Sequence, residues 1–496
     1  MFQKKLWLHG LVLFGLGFAA TVQKSIAQTV FRVGVWCPAG DLTQPSLYYL
    51  DTIRGIYSIK GAERDKMLNL GLNYALGCMN FHGENAMVFM GDSLDSAPVR
   101  KEFKTTLKIV PPCSLFSGGY EIRWLAVSAD VYQDSQQTLA WRDSVRQAYT
   151  AMHTRHATRI DGVHSFFAAE EGCINTANHI PGINYMCNHS IIDAFVQLGY
   201  VQTPNGCHTI TTYDMAKGLH RAAHLMSGNY ILQQNPFTPY TGPAFQARID
   251  LLVGSLADAR RGIRDADTTS NATFWSVLQT QQSTNPQINL RLPTRAEILC
   301  FVNLSLAYGA KGITYYPYST LVATGESGLL NINRDTTAQY NNVRAINTNY
   351  QGTGQSLVTI GGNFLNLTWR DGFTIHRNLN EPISNTYDLY DVTARPPGGA
   401  NDPEDSTYVE IGILQDASNV NHYMVVNRRC TSSETREITL TFECQANRIY
   451  RVTNVYTGGI TNYYVTGRTT FPFTLTLGPG EGRLLKVEDL GPWEGD

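Results

Sequence analysis

Residues 293–318, PTRAEILCFVNLSLAYGAKGITYYPY, place the strongest limit on what this chain can fold into. Thr294 and Glu297 have the S/T-x-x-E spacing of a capping box, in which each side chain satisfies a main-chain N–H at the helix start. The apolar run 298–308 then asks for a helix with little exposed surface. Gly309 is placed to end it, because glycine enters the left-handed conformation without a Cβ clash. Residues 312–316, GITYY, follow as a short apolar strand. A capped helix feeding a buried strand is the repeating unit of α/β folds, and residues at the strand end lie where such folds place ligands.

The same alternation runs through residues 31–350. Strands are expected at 31–36, 71–77, 121–127, 160–167, 208–212, 229–233, 274–280 and 312–316. A helix-like region separates the first two. Another helix is expected over 138–156, where Leu139, Trp141, Val145, Ala148 and Met152 fall near one face. Units of this size and number favour a (β/α)8 TIM barrel over a doubly wound sheet, and no GxGxxG or phosphate-loop pattern follows any strand. From residue 351 helical spacing gives way to short runs of period two, at 364–369, 373–376, 408–414, 422–426, 438–442, 449–452 and 483–487. That pattern suits an antiparallel β-sandwich. The expected fold is therefore α/β: a (β/α)8 barrel over residues 28–350, then a β-sandwich domain over 351–496. Residues 395–406 read as a loop, and its Asp402, Glu404 and Asp405 match no EF-hand spacing.

Lys4 and Lys5, an apolar stretch over 6–20 and the small residues Ser25 and Ala27 have the order of a signal peptide, expected over residues 1–27. The apolar stretch is short for a membrane span and no later one is long enough, so a secreted or periplasmic protein without an integral membrane segment is expected. Nine Cys suit an oxidising compartment. Cys430 and Cys444 flank an expected hairpin, Cys173, Cys187 and Cys207 cluster, and the odd count leaves a free thiol, for which Cys300 is chosen. With 39 basic and 41 acidic side chains the chain lacks the basic surface that nucleic acid requires.

In a barrel the groups that meet a ligand project from the C-terminal strand ends. That places Trp36 after the first strand, Asp130 and Asp134 after the third, and Glu170 and Glu171 after the fourth. Asn235 follows the sixth and Gln279, Gln281 and Gln282 the seventh. Tyr316 and Tyr318 end the eighth, with Glu326 in the loop beyond. Trp36, Tyr316 and Tyr318 suit either stacking on the flat face of a sugar or core packing. Asp130, Asn235 and Gln279 suit polar contacts to a substrate. Glu171 is either a ligand-contacting acid or a structural carboxylate that caps a helix or pairs with an arginine such as Arg123. His220 and His224, a helical turn apart, read as a helix-surface pair rather than metal ligands, since Arg221 stands where a zinc protease has Glu. There is no CxxC, and no metal site is expected. Glycosylation patterns occur at Asn188, Asn271, Asn303 and Asn366, that at Asn303 on the helix expected to be buried.

These strand ends resemble those of secreted barrel glycoside hydrolases of the beta-galactosidase-like clan, which carry a trailing β-sandwich. Phe167-Ala-Ala-Glu170-Glu171-Gly172 is similar to their fourth-strand end, with Glu171 in the place of the general acid/base. Residues 306–316 are similar to their eighth strand, 274–279 to their seventh, and 422–428 and 477–487 to their terminal β-domain. The resemblance implies hydrolysis of O-glycosidic bonds in a carbohydrate or polysaccharide, without a cofactor. Glu171 would be the general acid/base and Glu170 its alternative. Two departures stand out. Asp-Glu-Pro has become Glu170-Glu171-Gly172, and the seventh strand ends in Gln rather than the nucleophilic Glu of the retaining members. Neighbours on an extended strand point to opposite faces, so a second carboxyl must come from elsewhere: Glu326, Asp130 or Asp134. The missing nucleophile also admits a non-catalytic glycan-binding or cell-surface protein on a degenerate barrel.

Overall fold

The computed structural model describes residues 30–36, 48–51, 56–59, 61–76, 87–89, 108–110, 114–116, 124–128, 164–170, 224–228, 230–265, 273–283, 289–322, 325–377, 382–398 and 407–493. The strands of the first part are β1 Arg32–Trp36, β2 Tyr48–Asp51, β3 Ile56–Ile59, β4 Tyr74–Leu76, β5 Met87–Phe89, β6 Lys108–Val110 and β7 Ser114–Phe116. They continue with β8 Trp124–Ser128, β9 His164–Glu170, β10 His224–Gly228, β11 Thr273–Gln279 and β12 Gly312–Tyr316. The helices are α1 Gly61–Asn69, α2 Gly242–Asp265, α3 Arg295–Ala307, α4 Ala338–Thr348 and α5 Leu357–Gly362.

One sheet has the order β5-β4-β1-β12-β11-β10-β9-β8. Every pairing in it is parallel except that of β4 with β5. β2 with β3 and β6 with β7 form separate hairpins. The first strand lies beside the last, with Arg32 opposite Gly312 and Val35 opposite Tyr315. Successive strands β8 to β12 are also neighbours. A doubly wound sheet instead sets its first strand in the middle of a reversing order. Among the described residues, β5 and β8 stand at the two ends of the sheet.

The expected strands at 31–36, 71–77, 121–127, 160–167, 274–280 and 312–316 correspond to β1, β4, β8, β9, β11 and β12. The sixth is displaced. β10 ends at Gly228, and residues 230–233 do not continue it. The reason is visible at Leu232, whose main-chain N–H donates to Gln279 Oε1 (3.1 Å) and whose carbonyl accepts from Gln279 Nε2 (3.3 Å). The Leu232 carbonyl also accepts from the Arg291 amide (3.0 Å), and Gln233 bridges Leu290 antiparallel, so this segment pairs with the stretch before α3 and does not extend β10. His224 opens β10, which corrects the reading of His220 and His224 as a helical pair. The expected strand at 208–212 and the helix at 138–156 lie outside the described residues.

α3 forms as its sequence directs. Thr294 accepts from the Glu297 amide (3.2 Å), and Glu297 accepts from the Thr294 amide (2.7 Å). Gly309 follows the helix with φ of 71°. Every residue from Glu297 to Ala307 is buried, so the helix is enclosed on all sides. β11 lies on one side of it and the C-terminal strands on the other. Its neighbours on that side belong to a sheet of order β13-β15-β16-β21-β18-β19, with a smaller sheet β14-β17-β20 beyond. These strands are β13 Thr368–Ile375, β14 Leu389–Arg395, β15 Val409–Gln415, β16 Asn421–Asn427, β17 Arg436–Glu443, β18 Arg448–Asn454, β19 Gly459–Val465, β20 Thr470–Leu477 and β21 Gly482–Pro492. All pairings are antiparallel. The inner faces of the two sheets share a second core built on Val392, Ile411, Tyr423, Leu440 and Phe471.

The sandwich-like end thus matches the period-two reading, with three differences. The runs at 364–369 and 373–376 are not two strands: residues 364–367 form turns, and β13 is continuous with a bulge between Trp369 and Asp371. β14, β19 and β20 were not expected, although in β20 Phe471, Phe473, Leu475 and Leu477 alternate with Pro472, Thr474 and Thr476. Helix α5 packs on β1, so helical structure reaches past residue 351. Gly412 of β15 lies so close to α3 that a Cβ there would stand 1.9 Å from the Ala307 carbonyl oxygen. No side chain fits between the two parts at that point.

Candidate active site

The parallel register brings the C-terminal strand ends to one edge. Gly228 lies opposite Glu170, and Gln279 opposite Tyr316. Trp36 ends β1 opposite Leu76. Glu170 is the last residue of β9. Glu171, Asp130 and Asp134 lie outside the described residues.

Beyond β11 and β12 two loops lock together. Thr280 donates its amide (3.1 Å) and its hydroxyl (2.8 Å) to the Tyr316 carbonyl. Ser327 donates its amide to the Gln282 carbonyl (2.9 Å), and Gln282 donates its own to Ser327 Oγ (3.0 Å). Leu321 and Glu326 exchange main-chain bonds of 2.8 and 3.0 Å. This folding-back sets Glu326 over the end of β11. Its carboxylate accepts from the Tyr316 hydroxyl at 3.3 Å and from Gln281 Nε2 at 3.4 Å. The Tyr316 ring stacks on Tyr230, with centroids 5.6 Å apart and planes 13° apart. Glu326 is 5% exposed, and Tyr316 is half-buried. The structure therefore gathers Glu326, Tyr316 and Gln281 at the edge on which β9 ends in Glu170. The bonds from Tyr316 and Gln281 are both longer than the usual hydrogen-bond distance.

Other expected site residues have different surroundings. Gln279 is 1% exposed, and its amide is occupied by Leu232 and by the carbonyls of Arg291 (2.9 Å) and Gln281 (3.4 Å). Tyr318 is 0% exposed, with the Arg334 guanidinium 5.9 Å from its ring centre. Neither side chain offers surface to a ligand. Asn235 is exposed, but on a turn tied to Asn289 through its amide (2.8 Å), well past the end of β10. Asn303 is fully buried and donates to the Leu299 and Gly480 carbonyls, so the glycosylation pattern there is inaccessible.

Two buried ionic clusters were not expected. Arg291 and Glu297, 2% and 0% exposed, make a two-pronged pair at 3.0 and 2.6 Å. Arg291 also donates to the Thr238 carbonyl (2.8 Å) and lies 4.4 Å from the Tyr240 ring centre. The pair fastens the loop after β10 to the start of α3. The other cluster sits at the seam with the sandwich. Glu410 of β15 accepts from the Tyr308 hydroxyl (2.6 Å), Thr374 Oγ1 (2.9 Å) and Arg428 (3.3 Å), while Arg428 also reaches Asp250 of α2. Burial pushes the Glu410 carboxyl up to about 7 against the pull of Arg428, and drives the Tyr308 phenol well above its ordinary value. Beside this cluster, Asp250, Ala257, Tyr308, Gly372, Thr374 and His376 line a cleft of about 320 Å³. The one sequence signal for it was a glutamate inside the apolar strand VEIGILQ. Among the described residues there is no group of three or more His, Cys, Asp or Glu able to hold a metal ion, and no helix long and apolar enough to cross a membrane.

No protein-family model matches the chain, and no curated protein does. Among solved structures, a glycoside hydrolase family 5 protein from Bacteroides vulgatus is 10% identical over 92% of this chain and 89% of its own, with a TM-score of 0.38. A family 39 enzyme from Xanthomonas axonopodis pv. citri is 9% identical over 94% of this chain and 95% of its own, with a TM-score of 0.32. A beta-galactosidase from the haloarchaeon Halorubrum lacusprofundi is 13% identical over 43% of this chain, with a TM-score of 0.26, and the chain spans 27% of that protein's length. At such TM-scores the likeness assigns neither fold nor activity to this chain.

Proposed function

We propose that this chain is an exported carbohydrate-active protein of glycoside-hydrolase type. Its parallel strands close into a (β/α)8 barrel, and the C-terminal strand ends hold a sugar. The strand order supports closure, because the first strand pairs with the last and β8 to β12 follow in sequence. The observation that carries the functional reading is the carboxylate of Glu326, presented by Tyr316 and Gln281 at the edge where β9 ends in Glu170.

Glycoside hydrolysis needs one carboxyl to protonate the leaving oxygen and another to attack carbon or activate water. Glu171 is the proton donor in this reading, with Glu170 as the alternative, and Glu326 is the second carboxyl. A separation of about 5–5.5 Å would give retention, and about 6.5–9.5 Å inversion. Trp36 and Tyr316 supply aromatic faces for the sugar. Neither acid requires a cofactor for this chemistry.

A second reading is a glycan-binding protein without turnover. Gln279 favours it, since this residue ends the strand where retaining relatives of the resemblance carry their nucleophile, and its amide is bound to main chain. Chromogenic glycosides and oligosaccharide calorimetry on the purified protein separate the two. Release of product supports the hydrolase, and binding without product supports the binder. Absence of both from a broad glycan panel overturns the carbohydrate assignment.

A further inference from the structure

We propose that Phe237 and Tyr240, in the loop between β10 and α2, form a platform on which the outer sugar rings of a neutral glycan chain stack. This rests on the carbohydrate reading above and adds to it the class of ligand, a neutral chain of several sugars. The two side chains are 49% and 44% exposed. Their rings meet edge to face, with centroids 5.5 Å apart and planes 67° apart. The Arg291 guanidinium lies over both, 5.5 Å from the Phe237 centre and 4.4 Å from the Tyr240 centre. The rings are therefore supported from the protein side by a cation and present their remaining surface to solvent.

The loop holds those rings in place. Thr238 donates its amide to the Gln233 carbonyl (2.9 Å), and its Oγ1 accepts from the Gln233 amide (2.8 Å). Arg291 donates to the carbonyls of Thr238 (2.8 Å) and Pro239 (3.3 Å), the two residues between the rings, and is itself held by Glu297. Thr241 Oγ1 donates to Glu434 (2.8 Å) where the loop runs into α2. A platform ordered before the ligand arrives spares binding the cost of ordering it. The same loop reaches the candidate site. Tyr230 at its start stacks on Tyr316, and Leu232 binds Gln279 at the end of β11, over which Glu326 is folded. It thus runs from the candidate site to the platform, and a chain seated at Glu326 can lie along it.

Exposed aromatic rings suit several ligands, and charge selects among them. Residues 230–241, YILQQNPFTPYT, contain no charged side chain. Arg291 beneath the rings is 2% exposed and paired with Glu297, and Arg248 of α2 donates to Gln233 Oε1 (2.6 Å). Stacking of nucleic acid bases goes with a basic groove that follows the phosphates, which this loop does not supply. It presents amides instead: Gln234 and Asn235 are exposed next to Pro236 and Phe237. Aromatic surface beside neutral donors and acceptors matches the two surfaces of a sugar, its C–H face and its hydroxyl edge.

The test is calorimetric titration of the purified protein with disaccharides and hexasaccharides of neutral glucan, galactan, mannan and xylan, and with polygalacturonate. The wild type should bind one neutral hexasaccharide about tenfold or more tightly than the matching disaccharide. Phe237→Ala and Tyr240→Ala should each raise the hexasaccharide Kd by about tenfold, and in the double variant the advantage over the disaccharide should vanish. Tyr240→Phe keeps the ring and should bind as the wild type does, which separates loss of a stacking face from loss of fold. Equal hexasaccharide affinity in the wild type and the double variant overturns the platform and leaves the carbohydrate reading standing. Tighter binding of polygalacturonate than of any neutral chain overturns the neutral class. No binding of any of these glycans by the wild type overturns the platform and the carbohydrate reading together.

Discussion

Glu326 and Glu410 are both buried carboxylates beside a tyrosine, and the contrast between them separates two uses of an acid. Glu410 is clamped at the sandwich seam by Tyr308, Thr374 and Arg428, with its shortest bond at 2.6 Å. Glu326 sits at the strand-end edge, and its bonds from Tyr316 and Gln281 are 3.3 and 3.4 Å. A search for perturbed titration alone would choose Glu410, whose carboxyl is lifted to about 7. That shift follows from sealing a charge between a helix and a sheet, which structural clusters share with catalytic ones. Position distinguishes them. Glu326 lies at the C-terminal ends of parallel strands, where loops can present a ligand, whereas Glu410 joins two parts of the fold.

The contrast breaks first if the two acids respond alike to mutation. Glu326→Gln should lower turnover of a cleavable glycoside by about 10²–10⁴-fold while leaving the unfolding midpoint nearly unchanged. Steady-state rates and calorimetry on the same sample check both halves. Arg428→Ala should do the reverse, leaving Glu410 and Asp250 without their cation and costing roughly 3–5 kcal/mol of stability. Urea unfolding would measure that loss, and kcat should stay within about twofold where the variant is folded.

A smaller effect is the pH dependence of the seam. The folded carboxyl of Glu410 titrates at about 7, above its ordinary value of 4.5. Between these values the folded state holds a proton that the unfolded state has released. Stability is therefore greatest at the acid end and falls as pH rises through this window, by about 3 kcal/mol from this group alone. Glu410→Gln should flatten that part of the urea-midpoint profile, and an unchanged slope would show that Arg428 keeps Glu410 ionised. The smallest effect is at the helix start, where Thr294→Ala should cost about 1 kcal/mol through loss of the cap.

Legibility in the sequence followed the range of the interactions. The capping box at Thr294 and Glu297 and the glycine at 309 are local devices, and each is found where the spacing places it. Strands buried on one face, such as β17 with its strict alternation, were readable for the same reason. β19 lies at a sheet edge with most side chains exposed, so burial imposes no period on it. α2 went unmarked although Phe245, Ile249, Leu252, Leu256 and Ile263 recur at helical spacing, with Arg260 the one charged residue on its buried face. The seam cluster draws Asp250, Tyr308, Glu410 and Arg428 from four separate elements, and no window of sequence contains them together. At the candidate site, the strand ends carrying Glu170, Gln279 and Tyr316 were legible from strand periodicity. The commitment of Gln279 to Leu232 and the folding of Glu326 over β11 depend on loops meeting across the edge.

The most direct test is a comparison of initial rates on a glycoside substrate for wild type, Glu171→Gln and Glu410→Gln, each with its unfolding midpoint recorded. If the acid chemistry resides at the parallel strand ends, Glu171→Gln loses turnover with its midpoint preserved and Glu410→Gln keeps turnover. Full activity in Glu171→Gln, or loss of activity in a folded Glu410→Gln, would move the chemistry away from that edge and contradict the account.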